Sequence, residues 1–375
     1  MDIPQVLSEE WGHVLSLMPR DFEQSCRDKL ALSRRRQVVS AGDLLRLCLA
    51  YGVCDMSLRQ VAAWACAIGL GQLSDVAVLK RLRAASEWLG HVVAQWLVER
   101  GLTTQVPGGP IRIVDATTIN GPGSTGTDWR LHVSFELGRH RITSVELTGR
   151  GVGETLRRHR VRAGEIILVD RGYATRLGIG SVLRRGAHVV VRGHVTAVPL
   201  KGRAGAPLDI ARLLKSVGPG EVGDWPVVLD EGGRRYRLRL VAIKKSAAAA
   251  QKERKRIRTK ARKNQRRLGP GTVVAADYIW VLTDLAPERA SAIEVLELYR
   301  LRWQIELVFK RLKGLLKLGT LRAKNSSLAR TAILAKVLGA LVVEEMTGAA
   351  LSFFPWGFRL PPAAAEPLAN GGAVG

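Results

Sequence analysis

Two apolar segments of this chain run into aspartate: Val114-Asp115-Ala116-Thr117 and Val169-Asp170-Arg171-Gly172-Tyr173. In open α/β sheets, sites gather beyond the carboxyl ends of strands, where both acids are expected. A strand-end carboxylate can also do no more than cap a turn. A third acid, Glu306, lies in a segment with a capping-box start, Ser291-x-x-Glu294, and a glycine stop at Gly319, which predicts one long helix. At 100° per residue, Tyr299, Arg302, Glu306, Lys313 and Lys317 share an arc about 60° wide. Leu301, Ile305, Val308, Leu312 and Leu315 form the opposite, core-facing stripe. Glu306 is then a lone carboxylate on a cationic face. An ion network with Arg302 and Lys310 at i−4 and i+4 explains that as well as a functional site does. Three carboxylates in basic surroundings suit hard divalent cations, Mg²⁺ or Mn²⁺. Two such ions roughly 3.5–4 Å apart would clamp a phosphodiester for in-line displacement. No Cys or His pairing competes as a nucleophile.

The elements that must position these acids follow from the surrounding pattern. Residues 1–105 read as helical, with mixed helical spacing of Leu44, Leu45, Leu47, Leu49, Val61, Ala62, Trp64 and Ala65. Within them, Ser57 can cap a helix to Ile68, Gly69-Leu70-Gly71 breaks it, and Ser74 can cap a second helix bearing Lys80, Arg81 and Arg83. That is the outline of a helix-turn-helix for DNA, or of an ordinary helical hairpin. Val106-Pro107-Gly108-Gly109-Pro110 marks a boundary. Strands are expected at Ile111 to Asp115, Trp129 to Leu137, Ile142 to Leu147, Glu165 to Asp170, Ala187 to Arg192, Arg234 to Val241 and Tyr278 to Leu282, with a helix over Tyr173 to Arg184. Residues 193–277 read as a β-rich insertion into an α/β core spanning 106–325. Residues 326–375 read as a C-terminal helix and, from Pro355, a poorly ordered tail.

Charge says what the site faces. Among 375 residues, 58 Lys and Arg outnumber 33 Asp and Glu, a formal charge of +25. Residues 244–268 hold 12 of the cations and one acid, Glu253, so +11 sits in one stretch. With Ala247 to Ala250 and few breakers, it reads as a helical arm able to follow duplex DNA, or as a solvated mobile loop. A milder cluster spans Arg139 to Arg162. The 46% hydrophobic content excludes a wholly disordered basic tail. The N-terminus lacks the features of a signal peptide, and no apolar run approaches a membrane span. The four cysteines, Cys26, Cys48, Cys54 and Cys66, lack metal-site spacing and read as reduced core thiols. Nucleic acid is the leading partner, in the cytoplasm at a prokaryotic nucleoid.

The spacing Tyr299-x2-Arg302-x3-Glu306-x6-Lys313 resembles the YREK motif of the DDE transposases of the insertion-sequence-four family. Asp115 and Asp170 are similar to the family's first and second acids, and the 136-residue gap from Asp170 to Glu306 resembles its β-rich insertion. The match spans roughly residues 40–320. The resemblance implies an RNase H-like catalytic core in which Asp115, Asp170 and Glu306 hold two Mg²⁺ ions. It also implies end nicking, a hairpin intermediate and strand transfer, carried out by a homodimer on terminal inverted repeats and target DNA. Tyr299, Arg302 and Lys313 would grip phosphates. Trp280, 26 residues before Glu306, would stack a flipped base, although a Trp in an apolar strand is more often core. A DNA-binding protein that has lost catalysis is the alternative; it has little reason to keep all three acids.

Overall fold

The computed structural model describes residues 3–100, 110–124, 126–138, 141–314, 317–318 and 321–353. Five helices come first: α1 (Ile3–Ser16), α2 (Phe22–Asp28), α3 (Ala41–Gly52), α4 (Leu58–Ala67) and α5 (Asp75–Arg100). The expected start signals hold. Ser57 and Gln60 form a capping box at α4, and Ser74 Oγ accepts from the Ala77 N–H at 3.1 Å beside the start of α5. The turn between them carries Gly69 and Gly71 at φ of 72° and 142°, which residues with a side chain rarely adopt.

Strands β1 (Ile111–Ile119), β2 (Trp129–Glu136) and β3 (Arg141–Gly149) form an antiparallel meander. Then follow β4 (Ile166–Val169), α6 (Arg176–Leu183), β5 (His188–Arg192), α7 (Ile210–Lys215), β6 (Val222–Glu231), β7 (Arg234–Lys244), α8 (Ala247–Lys263), α9 (Pro270–Ala275) and β8 (Tyr278–Thr283). All eight strands make one mixed sheet in the order β3-β2-β1-β4-β5-β8-β7-β6, with β1, β4 and β5 parallel. This mixed α/β sheet is consistent with the RNase H-like core that the resemblance implies. The segment read as an insertion does not stand apart. Its strands β6 and β7 extend the same sheet, because β7 pairs with β8 from Arg239↔Thr283 to Lys244↔Tyr278.

The central strands are apolar throughout because both faces are covered. Ile113, Leu168 and Val190 join one core, while Val114, Ile167, Val169, Val189 and Val191 join the other. Such alternation is what a pleat imposes. The first core is shared with the N-terminal helices and with three more: α10 (Ala292–Arg300), α11 (Trp303–Gly314) and α12 (Ser326–Phe353). Residues 326–347 of α12 are long and apolar enough to cross a membrane, with mean hydropathy 1.6, yet 67% of that stretch is buried in the protein. It is apolar because it packs against α3 and α5. A Cβ on Gly52 of α3 would lie 2.6 Å from the Ala335 Cβ of α12, so only glycine permits that crossing.

Three expectations need correction. The stretch from Ser291 is not one helix: it breaks at Leu301 and Arg302, between α10 and α11. There, hydrogen bonds tighten to i→i−3, from Gln304 N–H to Leu301 O and from Ile305 N–H to Arg302 O. Leu301, assigned to the core stripe, is 37% exposed at this break, whereas Ile305 and Leu312 are buried. Strand β1 does not end at Asp115 but continues to Ile119 along β2. Only Cys26 and Cys48 are core thiols; Cys54 and Cys66 are exposed, and all four are free. The expected stop at Gly319, most of the linker at 106–110 and the tail from Pro355 lie outside the described residues.

Candidate active site

Parallel pairing of β1 with β4 ends at Val114↔Val169, so Asp115 and Asp170 are the next residues on adjacent strands. Here β1 runs on with β2 alone, while β4 gives way to a short 3₁₀ turn at Arg171–Tyr173. Strand alternation turns both carboxylates to the face of Ile113 and Leu168, where α10 and α11 also pack. The residues around the break before α11 put two side chains, Tyr299 and Arg302, on these acids. Tyr299 Oη donates to Asp170 Oδ1 at 3.0 Å. The Arg302 guanidinium reaches Asp115 Oδ2 at 3.5 Å and Glu306 Oε1 at 2.6 Å, tying the third acid to the first. Its centre lies 6.0 Å from the Tyr299 ring. Glu306 is the open member, its side chain 60% exposed against 18% for Asp115.

The two aspartates are pushed in opposite directions. Burial raises Asp115 to about 6, aided by the nearby negative charge of Asp170 and Glu154 and resisted by the Ala116 N–H and Arg302. Burial also acts on Asp170, but the Arg171 N–H, Arg302, Arg192 and Tyr299 outweigh it and hold its carboxyl below the usual range. Burial alone would loosen the Arg302 proton; Tyr299, Glu306 and both aspartates instead bind it more tightly than usual. Asp115 is thus the acid whose charge burial disfavours most, and Arg302 offsets part of that cost.

Hard carboxylate oxygens of this kind suit Mg²⁺ or Mn²⁺, and a cation would favour the ionised form of Asp115, which burial and, to a lesser degree, its acidic neighbours disfavour. Among the described residues, however, no group of three acid, His or Cys side chains is gathered as a metal cage. Glu306 points to Arg302 in this form, so completing a three-carboxylate site requires that side chain to swing off the guanidinium.

Of the other expected residues, Lys313 is exposed on α11 beyond Glu306, with no ion pair among the described residues. Trp280 is 3% exposed in β8, and its ring lies so close to Gly193 that no Cβ would fit between them. Here the core reading accounts for Trp280; stacking on a base would need the ring uncovered. Sequence reasoning gave Arg171 no role and left open whether Arg192 touches DNA or only balances charge. Arg192, at the end of β5, comes within 4.0 Å of Asp170 Oδ1, and Arg171 follows Asp170 directly. Arg192 closes β5 and Arg171 lies just past β4, a signal lost against 58 cations. Glu154 was also overlooked; its carboxylate packs on Gly172, so a Cβ there would displace the end of the Glu154 side chain. Helix α8 forms as expected, over Ala247–Lys263, but it is not a free arm: Ala250 and Ile257 are buried and Arg254 pairs with Asp277 at 2.6 Å.

A family model described as a transposase DDE domain matches residues 107–342. The chain is 36% identical over 356 residues to the InsL protein of insertion sequence element IS186A from Escherichia coli strain K12, covering 92% of this chain and 96% of that protein. It is 36% identical over 357 residues to the transposase for insertion sequence element IS421 of Escherichia coli, with the same coverage. A more distant similarity, 27% over 170 residues, links 41% of the chain to 36% of the transposase for insertion sequence element IS231F of Bacillus thuringiensis.

Proposed function

Since the chain belongs to the DDE transposase family and acts in DNA transposition of an insertion sequence, we propose that Asp115, Asp170 and Glu306 are its catalytic acids. One observation carries this assignment: Asp115 and Asp170 sit side by side where the parallel pairing stops, and Arg302 bonds to both Asp115 and Glu306. The three would hold two Mg²⁺ ions, which supply Lewis-acid activation of the attacking and leaving oxygens. Tyr299 and Arg302 keep the aspartates oriented and ionised until the substrate arrives, then become free to bind phosphate. Lys313, exposed farther along α11, is suited to a phosphate of the same strand. Trp280 would take part as a base-stacking ring only in a form that lifts it off Gly193.

The finer assignment to the insertion-sequence-four family with its YREK motif rests on Tyr299, Arg302, Glu306 and Lys313. A hairpin intermediate and a homodimer on paired terminal repeats belong to the same reading. So do an N-terminal DNA-end-binding region within 1–105, a catalytic region over 106–325 and a C-terminal helix in 326–375. Incubating the protein with the DNA flanking its own gene and Mg²⁺ tests this. Double-strand ends and hairpins are expected. Binding of those ends without any strand cleavage would favour a DNA-binding protein that has lost catalysis.

A further inference from the structure

A cavity of about 40 Å³ is lined by Arg171, Arg192, His194, Glu253, Ile257 and Trp280, among others. It adjoins the candidate active site, because Arg171 follows Asp170 and Arg192 reaches Asp170 Oδ1 at 4.0 Å. It has room for about one small polar group, far less than a nucleobase. Its charge is lopsided. Arg171 is half-buried and pairs with no carboxylate among the described residues, and the side chain of Arg192 is 25% exposed. Lys245 stands close by, its Nζ donating at 2.6 Å to the carbonyl of Ala276, which also lines the cavity. Burial and then the positive charge of Arg192 press the Lys245 ammonium down to about 8.

The one acid of the basic arm completes the picture. Glu253 reaches this cavity from α8 and is only 15% exposed, and both its oxygens accept from Arg256 at 2.6 Å. A lone carboxylate among twelve cations of residues 244–268 is poorly explained as part of a DNA-following surface. It is well explained as a counter-charge for Arg171, Arg192 and Lys245, all of which feel it or are felt by it.

We infer that this cavity is a subsite for one backbone phosphodiester of the DNA, gripped by Arg171 and Arg192, and that Glu253 holds the anion position in the free protein. The inference rests on the transposase reading but concerns binding, not cleavage. Two predictions distinguish it from a helix-surface ion pair: Glu253 weakens DNA binding, and Arg171 accounts for one phosphate contact.

The test measures the Kd of the full chain for a 40-base-pair duplex carrying its own element's end, across a series of salt concentrations. Glu253→Gln is expected to bind several-fold more tightly than wild type. Arg171→Ala is expected to bind more weakly, with the slope of log K against log salt shallower by about 1. Arg256→Gln breaks the same helical pair while keeping the acid, so it is expected to bind no more tightly than wild type. Unchanged or weaker binding by Glu253→Gln, equal tightening by Arg256→Gln, or an unaltered slope for a folded Arg171→Ala would each overturn the subsite. Should Arg171→Ala lose its fold on melting, the two α8 variants decide the question. Mg²⁺-dependent cleavage by the same wild-type preparation separates the two readings. Cleavage with unaffected variants removes the subsite alone, whereas absence of cleavage removes the catalytic reading.

Discussion

The Tyr299 hydroxyl donates to Asp170 Oδ1 at 3.0 Å, so the last turn of α10 is fastened to the segment just beyond β4. The bond acts on both partners. Burial, then the neighbouring carboxylate, pushes the Tyr299 phenol up to about 12, so it stays a donor across the physiological range. The same donation helps to hold Asp170 ionised. Replacing Tyr299 with Phe keeps the ring and removes the donor. The Asp170 carboxyl then rises, and below the acid limb that Asp115 sets near 6 the second, steeper fall in cleavage is expected to begin at higher pH than in wild type. Loss of one charge-assisted bond corresponds to about tenfold in rate. A profile that falls uniformly without shifting would show that Tyr299 acts only through the substrate.

The three acids are expected to be individually indispensable. Asp115→Asn, Asp170→Asn and Glu306→Gln should each cut Mg²⁺-dependent strand cleavage by about a thousandfold or more, while the Kd for end DNA in Ca²⁺ or EDTA changes only a few-fold. Gel assays of cleavage and binding on the same preparations check this. Appreciable cleavage by any one variant removes that residue from the set.

Asp115 makes stability depend on pH in a predictable direction. Its folded carboxyl, at about 6, binds a proton more tightly than the unfolded one at 3.8. The folded state therefore holds the extra proton between those values, and stability falls as pH rises through that window. Above it the ionised, buried Asp115 costs about 1–3 kcal/mol. Asp115→Asn is expected to raise the melting temperature at pH 8 and to leave it nearly unchanged at pH 3.5. Mg²⁺ should stabilise wild type at pH 8 more than it stabilises the variant.

Gly52 tests the helical layer. A Cβ there meets the Ala335 Cβ at 2.6 Å and the Ala332 carbonyl at 3.0 Å, so Gly52→Ala must push α12 away from α3. A loss of about 1–3 kcal/mol in urea unfolding is expected. An unchanged midpoint would mean that the crossing yields freely.

Much of this was legible in the residues. Capping at Ser57, Ser74 and Ser291 placed helix starts because the donors involved are only three residues away. That Asp115 and Asp170 follow apolar strand runs and that Glu306 sits on a helix was legible through those local runs and one motif. The break at Leu301 and Arg302 was not, since nothing in their types forbids a helix; it comes where Arg302 meets Asp115 of β1, a contact 187 residues away in sequence. The burial of Trp280 under Gly193 joins positions 87 residues apart, and periodicity carries no such information. Nor does local composition reveal that β7 pairs with β8 and so merges the supposed insertion into the sheet.

The place of α12 has a consequence for how the chain is made. Leu44, Leu82, Ile333 and Leu338 belong to one core, and Thr331 Oγ1 donates to the Leu82 carbonyl at 2.7 Å. The first hundred residues therefore leave the ribosome lacking the helix that covers them, and wait for some two hundred and thirty more before it arrives. Contacts so distant in sequence close slowly. A chain cut short before α12 loses the cover of its earliest helices, although Asp115, Asp170 and Glu306 have already been synthesised. Assembly of the helical layer therefore waits on α12, not on the strands and helix that carry the three acids.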